Sequence, residues 1–210
     1  MTDVSMKTIE RLILYRRILL SMTPAPSEPI YSHSLAKLAN VNAAQVRRDL
    51  MVIGYSGTSI RGYEPNALLR ALSEFIDADE VTGVAVVGIG DIGRAIFQYV
   101  KGRRPKLQIR ALFDIDPEKT DKIYDGCRAY AIDEIPSVIR KKQITVGIVS
   151  VPATAAQEIA NRLVGAGVRG ILNYAPVQLH IPEGIFLENR DMITAVEKVA
   201  FFSRQSTLKG

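Results

Sequence analysis

The stretch that most restricts the fold of this 210-residue chain is VAVVGIGDIGRAIFQYV, residues 84–100. Val84–Val87 is a short, apolar, largely β-branched run and reads as a buried strand. Gly88-x-Gly90-x-x-Gly93 follows at once and opens a helical pattern. A second run, LQIRALFDID, carries Asp114, 21 residues past Gly93, close to the ~20 at which the acid that holds an adenosine ribose stands. Strand, glycine turn, helix, strand and acid together predict a dinucleotide site. Gly88 allows the tight turn, Gly90 lets backbone approach a pyrophosphate, and Gly93 lets helix pack on strand. Backbone N–H groups at that helix N-terminus then carry the phosphate charge, and Ile89, Asp91 and Ile92 between the glycines join the candidate contacts. Asp114 accepts from ribose hydroxyls and repels a 2′-phosphate, which favours NADH or NAD⁺ over their phosphorylated counterparts. Asp116 reads equally well as a second ribose contact or as a helix N-cap before Pro117.

The alternation continues with CRAYAI as strand, DEIPSVIRKKQ as helix, ITVGIVSV as strand and PATAAQEIANRLVGAG as helix, then GILNY and GIFLEN as strands. Strands alternating with helices predict an α/β fold with a doubly wound parallel sheet. Ligands bind at the carboxyl ends of such strands, so Val151, Pro152 and Ala153 with Asn173, Tyr174, Ala175 and Pro176 are expected to wall the pocket around the nicotinamide.

Charge separates the first third from the rest. The net charge is +5, and residues 1–63 hold eight Lys/Arg against four Asp/Glu. That surplus fits a nucleic-acid-facing module, or a solvated basic surface. Residues 6–22 read as a helix with Ile9, Leu12, Ile13, Leu19 and Leu20 on one arc, TPAPSEP as a loop, and SHSLAKLANV as a short helix begun by a serine cap. Asn42 is expected to cap AAQVRRDLMVI, with Gln45 completing a capping box and Gly54 stopping the helix. Val46, Leu50 and Ile53 turn inward, Ala44, Arg48 and Met51 outward, with Gln45 and Arg47 on the flanks. GYSGTSIRGY, with Arg61, suits a tight hairpin. Helix pair, outward arginines and hairpin make a winged helix-turn-helix. Ala44, Gln45, Arg47, Arg48, Met51 and Arg61 are its candidate contacts to double-stranded DNA.

The expected division is a winged-helix domain at 1–63, a connecting helix at 64–80, a Rossmann domain at 81–188 and a C-terminal helix at 189–210. That last helix, DMITAVEKVAFFSRQST, carries apolar residues around much of its circumference. It calls for burial either on its own sheet or against a second copy. A composition of 47% hydrophobic and 23% charged residues is globular. No apolar run nears the ~18 residues of a membrane span. The N-terminus lacks the apolar core of a secretory signal. Cys127 is the single cysteine, which excludes a disulfide framework and a cysteine-rich zinc site. The expectation is a cytoplasmic protein.

The ordered set RLILYRRIL, AAQVRRDL, VVGIGDIGRAIFQY, FDIDPEK, SVPATAAQEIANRLVGAGVRGILNYAPV and IFLENRD resembles the Rex family of redox-sensing transcriptional repressors over nearly the whole chain. The resemblance implies a homodimer whose winged helices bind a palindromic operator, whose Rossmann domains take NADH or NAD⁺, and whose C-terminal helices swap between subunits. It implies Arg47 and Arg48 as DNA contacts, and Arg17, Tyr99 and Asp191 as parts of a switch between conformations. The sequence departs from the family pattern in the wing, Gly57-Thr58-Ser59-Ile60-Arg61-Gly62-Tyr63, and at Met51-Val52-Ile53-Gly54 after the recognition motif.

Two other classes compete. An NAD-dependent oxidoreductase needs an acid or base beside the nicotinamide. The only histidines are His33, in the basic head, and His180, after the NYAP strand; Tyr174 is near the pocket, and no catalytic set is assembled. A CoA-binding or nucleotide-binding module of a larger enzyme explains the glycine turn but not the basic head. No cluster of His, Cys or carboxylates has metal-ligand spacing.

Overall fold

The computed structural model describes residues 4–22, 28–56 and 61–207. The chain forms two compact units that divide between Asp79 and Glu80.

In the first unit, α1 (Met6–Ser21), α2 (Ser32–Ala39), α3 (Ala43–Val52) and α4 (Pro65–Ile76) enclose one core. Leu12, Tyr15 and Leu19 of α1 meet Leu35 of α2, Val46 and Leu50 of α3, and Leu68 and Leu72 of α4. The buried arc of α1 thus differs from the apolar one expected from sequence. Ile13 and Leu20 are exposed, while Tyr15 and Arg16 are buried. Arg16 can be buried because its Nη1 donates to Asp77 Oδ1 at 2.6 Å, although its Nε has no partner. Helix α2 starts after Tyr31 without a side-chain cap, so the expected serine cap is absent. Asn42 does cap α3, its Oδ1 accepting from Gln45 N–H at 2.8 Å. The capping box is not completed, because the Gln45 side chain turns elsewhere. Ile30 and Tyr63 form a two-way antiparallel bridge, each N–H donating to the other's carbonyl at 2.8 Å. Thr23–Ser27 of the expected loop and Gly57–Ile60 of the expected hairpin lie outside the described residues.

The second unit is a seven-stranded sheet. Its strands are β1 (Thr82–Val87), β2 (Leu107–Asp114), β3 (Ile123–Tyr124), β4 (Cys127–Ala131), β5 (Ile144–Val149), β6 (Gly170–Asn173) and β7 (Phe186–Asn189). The order is β3-β4-β2-β1-β5-β6-β7, parallel except for the β3–β4 pair. Without the two-residue β3 this is the doubly wound Rossmann order, which reverses direction between β1 and β5. Helix α5 (Asp91–Val100) covers one face, where Phe97 packs on Val84, Val86 and Leu112. Helices α6 (Ile135–Lys141) and α7 (Ala153–Ala166) cover the other, setting Ile139 and Leu163 against Ala85, Val87 and Phe113. β1 is buried on both sides, which accounts for its unbroken apolar run.

Helix α8 (Met192–Thr207) is the last element of the described residues. Met192, Ile193, Val196, Val199, Phe201 and Phe202 are 50–67% exposed. It does not bury its apolar residues on its own sheet, which removes one of the two alternatives expected for it.

Candidate dinucleotide site and nucleic-acid interface

The reversal of strand order opens a crevice at the carboxyl ends of β1 and β5, and the glycine turn sits there. Gly88 adopts φ +93°, and a Cβ on it would lie 2.5 Å from the Ser150 carbonyl oxygen. A Cβ on Gly93 would stand 1.8 Å from the Gly88 carbonyl oxygen. These two glycines are required by the protein's own packing. Gly90 is different: nothing among the described residues lies within 4 Å of its Cβ position, at the N-cap just before α5. Its lack of a side chain leaves space beside the unpaired N–H groups of the helix, where an anion is favoured. Ser150 braces the turn, its hydroxyl bridging the carbonyls of Val87 and Gly88 at 3.0 and 2.9 Å.

Asp114 is buried at the end of β2. Its Oδ2 accepts from Ile89 N–H at 2.6 Å and its Oδ1 from Asp116 N–H at 2.9 Å. The acid is thereby tied directly to the glycine turn. Lys119 stands between two carboxylates, 3.6 Å from Asp114 and 3.7 Å from Asp116. Asp116 accepts from Glu118 N–H at 2.9 Å, as the cap of the turn after Pro117. Lys119 and Ser150 were not singled out from sequence. The spacing of Lys119 from Asp116 was visible there, whereas the bond of Ser150 to a turn 62 residues away was not.

Ile89 is buried, while Asp91 and Ile92 are exposed at the start of α5, with Arg94 Nη2 donating to Asp91 at 3.0 Å. Val151 is half-buried, and Pro152 and Ala153 are exposed at the start of α7. Asn173 is buried, and its amide donates to the carbonyls of Ala175 and Val177 and to Asn189 Oδ1. It thus folds the loop that presents buried Ala175 and exposed Pro176. These groups suit a ligand of dinucleotide size that sets its anionic phosphates at Gly90 and a ribose at Asp114.

Tyr99 is 65% exposed, with the Arg103 guanidinium 4.1 Å from its ring centre. Asp191 caps α8, accepting from Ile193 and Thr194 N–H and from the Thr194 hydroxyl at 2.6 Å. That hydroxyl and those amides hold its carboxyl below the usual range. Tyr99 and Asp191 are not bonded to one another. Arg17 is exposed on α1 in the first unit. His180 is exposed, and its N–H and carbonyl are held by Gln157. Among the described residues, no group of His, Cys, Asp or Glu is arranged to hold a metal.

In the first unit, Ala44, Arg47, Arg48 and Met51 are exposed on α3 and Gln45 is half-buried. Arg61 is exposed beside the bridge. Arg47 Nη1 donates to Ser32 Oγ at 3.1 Å, at the start of α2. Arg48 Nη2 donates to Gln45 Oε1 at 3.0 Å. Asp49 points inward to α1. Arg11 Nε and Nη2 donate to its two oxygens at 2.6 and 2.7 Å, and the Tyr15 hydroxyl donates at 2.8 Å. Although burial works against charge, the bonds from Arg11, Tyr15 and Gln45 hold the Asp49 carboxyl below its ordinary value. Burial pushes the Tyr15 phenol well up.

A Rossmann module with a ribose acid, carried by a chain whose other unit is a helix pair with outward arginines, is the composition of a nucleotide-linked DNA-binding regulator. Two family models divide the chain likewise: "Putative DNA-binding protein N-terminus" matches residues 3–50 and "CoA binding domain" residues 79–177. The redox-sensing transcriptional repressor Rex of Lactobacillus gasseri is 36% identical over 93% of this chain and 91% of its own length. That of Syntrophobacter fumaroxidans is 36% identical over 94% and 95%. The solved structure of RSP, a Rex-family repressor, superposes with a TM-score of 0.88 at 28% identity, covering 99% of this chain and 98% of that one. RSP bound to NAD⁺ and operator DNA gives a TM-score of 0.90, with 99% and 96% covered. The chain belongs to the Rex family of redox-sensing transcriptional repressors.

Proposed function

We propose that this chain is a cytoplasmic repressor that binds palindromic operator DNA as a homodimer and is released when NADH occupies the Rossmann unit. It thereby reads the ratio of NADH to NAD⁺. The observation that carries this reading is the open space over Gly90, with Asp114 tied to the same turn through Ile89. Solved complexes of the relative RSP with NADH, and with NAD⁺ and operator DNA, support it. Asp114 would hold the adenosine ribose, and the N–H groups at the start of α5 the pyrophosphate. A carboxylate there disfavours CoA, whose ribose carries a 3′-phosphate. The head at 1–63 binds DNA through Arg47, Arg48 and Arg61, the connecting helix at 64–80 leads to the coenzyme domain at 81–188, and the helix at 189–210 joins the subunits.

NADH and NAD⁺ differ by one positive charge and by ring planarity. Pro152, Ala175, Pro176 and a partner's terminal helix make an apolar surround that penalises the charged ring. Tight NADH binding then favours a dimer whose two heads no longer match half-sites one helical turn apart. Arg17, Tyr99 and Asp191 serve that change. The chain acts as a regulator and turns nothing over.

Operator binding is measured by gel shift across a series of NADH/NAD⁺ ratios. NADH is expected to weaken operator affinity roughly 5- to 150-fold, and operator to weaken NADH affinity by the same factor. Simultaneous binding with no mutual effect overturns the reading.

A further inference from the structure

We infer that Gln45 and Asp49 do not touch bases but set the guanidinium of Arg48 for its contact, from an anchor on α1. The inference rests on reading α3 as the DNA-recognition helix. An ionised carboxylate has about four acceptor sites. Arg11 fills two of those on Asp49, Tyr15 a third and Gln45 Nε2, at 2.8 Å, the fourth. With its side chain 2% exposed, Asp49 has nothing left to offer a nucleic acid. Because the carboxylate can only accept, it fixes which way the Gln45 amide turns. Nε2 must face Asp49, so Oε1 faces the opposite side, where it accepts from Arg48 Nη2.

The spacing makes this relay natural. Residues 45, 48 and 49 stand three and four apart on one helix face, and Arg11 and Tyr15 stand four apart on the facing helix. The relay uses both ends of the Gln45 amide, which withdraws it from the paired contact that a free glutamine makes to adenine. It also explains why Gln45 does not reach back to complete the cap at Asn42. Arg48 is a long side chain that would otherwise lose rotamer freedom on docking, and a preset guanidinium loses less. Its remaining donors stay free for a base edge. Arg47 has no such support, resting on a single hydroxyl of α2.

The test uses the full-length protein and the duplex that wild type selects from a random-sequence pool, with the unselected pool as the non-specific reference. Base preference at each position is measured for Gln45→Ala, Asp49→Asn, Arg48→Ala and the Gln45→Ala/Arg48→Ala pair, with NADH affinity as the control for folding. Gln45→Ala and Asp49→Asn are expected to lower preference roughly ten-fold at the same base pair that Arg48→Ala affects. The double variant should be no worse than Arg48→Ala alone. Should Asp49→Asn fail to fold, Gln45→Ala decides, since alanine is the best helix former. Preference kept in Gln45→Ala, or lost at a different base pair, overturns the inference while leaving the proposed function intact. A wild type that selects no duplex overturns both.

Discussion

Asp114 and Asp49 are both buried carboxylates, each held by donors from the protein. Asp114 ends β2 beside the glycine turn and is proposed to hold the ribose, so its replacement is expected to act on a ligand. Asp114→Ala should weaken NADH binding about ten-fold or more and admit NADPH, because the charge that repels a 2′-phosphate is gone; fluorescence titration with both coenzymes checks this. Asp49 faces a helix, so its replacement acts on stability. Its carboxyl is held below the ordinary value near ~3.9. Its contribution is therefore complete above that value and is lost as pH falls through the lowered one. Asp49→Asn should cost ~2 kcal/mol at pH 7, with the gap to wild type closing below about pH 4; denaturant melts at both pH values measure it. Asp114 was legible in the sequence, because a local motif fixes its distance from Gly93. The role of Asp49 was not, because Arg11 and Tyr15 stand 38 and 34 residues away and no periodicity records that pairing.

At the scale of elements, the glycine turn separates two reasons for glycine. Gly93→Ala drives a methyl into the Gly88 carbonyl, so the second unit should melt at lower temperature as well as losing NADH affinity. Gly90→Ala meets no protein atom. Its stability should stay within about 0.5 kcal/mol of wild type while NADH affinity falls about ten-fold or more, the methyl occupying the pyrophosphate's approach. Calorimetry with and without NADH distinguishes the two variants. The strands of the parallel sheet were readable because burial on both faces writes unbroken apolar runs. The inward arc of α1 was misread, because Tyr15 and Arg16 are buried by pairing with Asp49 and Asp77, and apolar periodicity does not register a satisfied polar group. Strand β3 escaped notice since two residues are too few for a pattern, whereas its partner β4 coincides with the expected CRAYAI strand.

At the scale of the whole molecule, α8 presents a continuous apolar surface that its own sheet leaves uncovered. An exposed stripe of this kind marks an interaction site. The proposed occupant is a second copy, since a palindromic operator needs two heads and this chain supplies one. Val196 and Val199 lie three residues apart on one face and are each 67% exposed. Val199→Glu therefore puts a charge into the proposed interface without disturbing a core. The expected result is a monomer by light scattering that still binds NADH. Its affinity for a full palindrome should fall about 100-fold, because two linked half-site contacts become two independent ones, whereas affinity for an isolated half-site stays near that of wild type. A variant that remains dimeric and keeps full operator affinity would assign the stripe to some other partner and leave the pairing of heads to another surface.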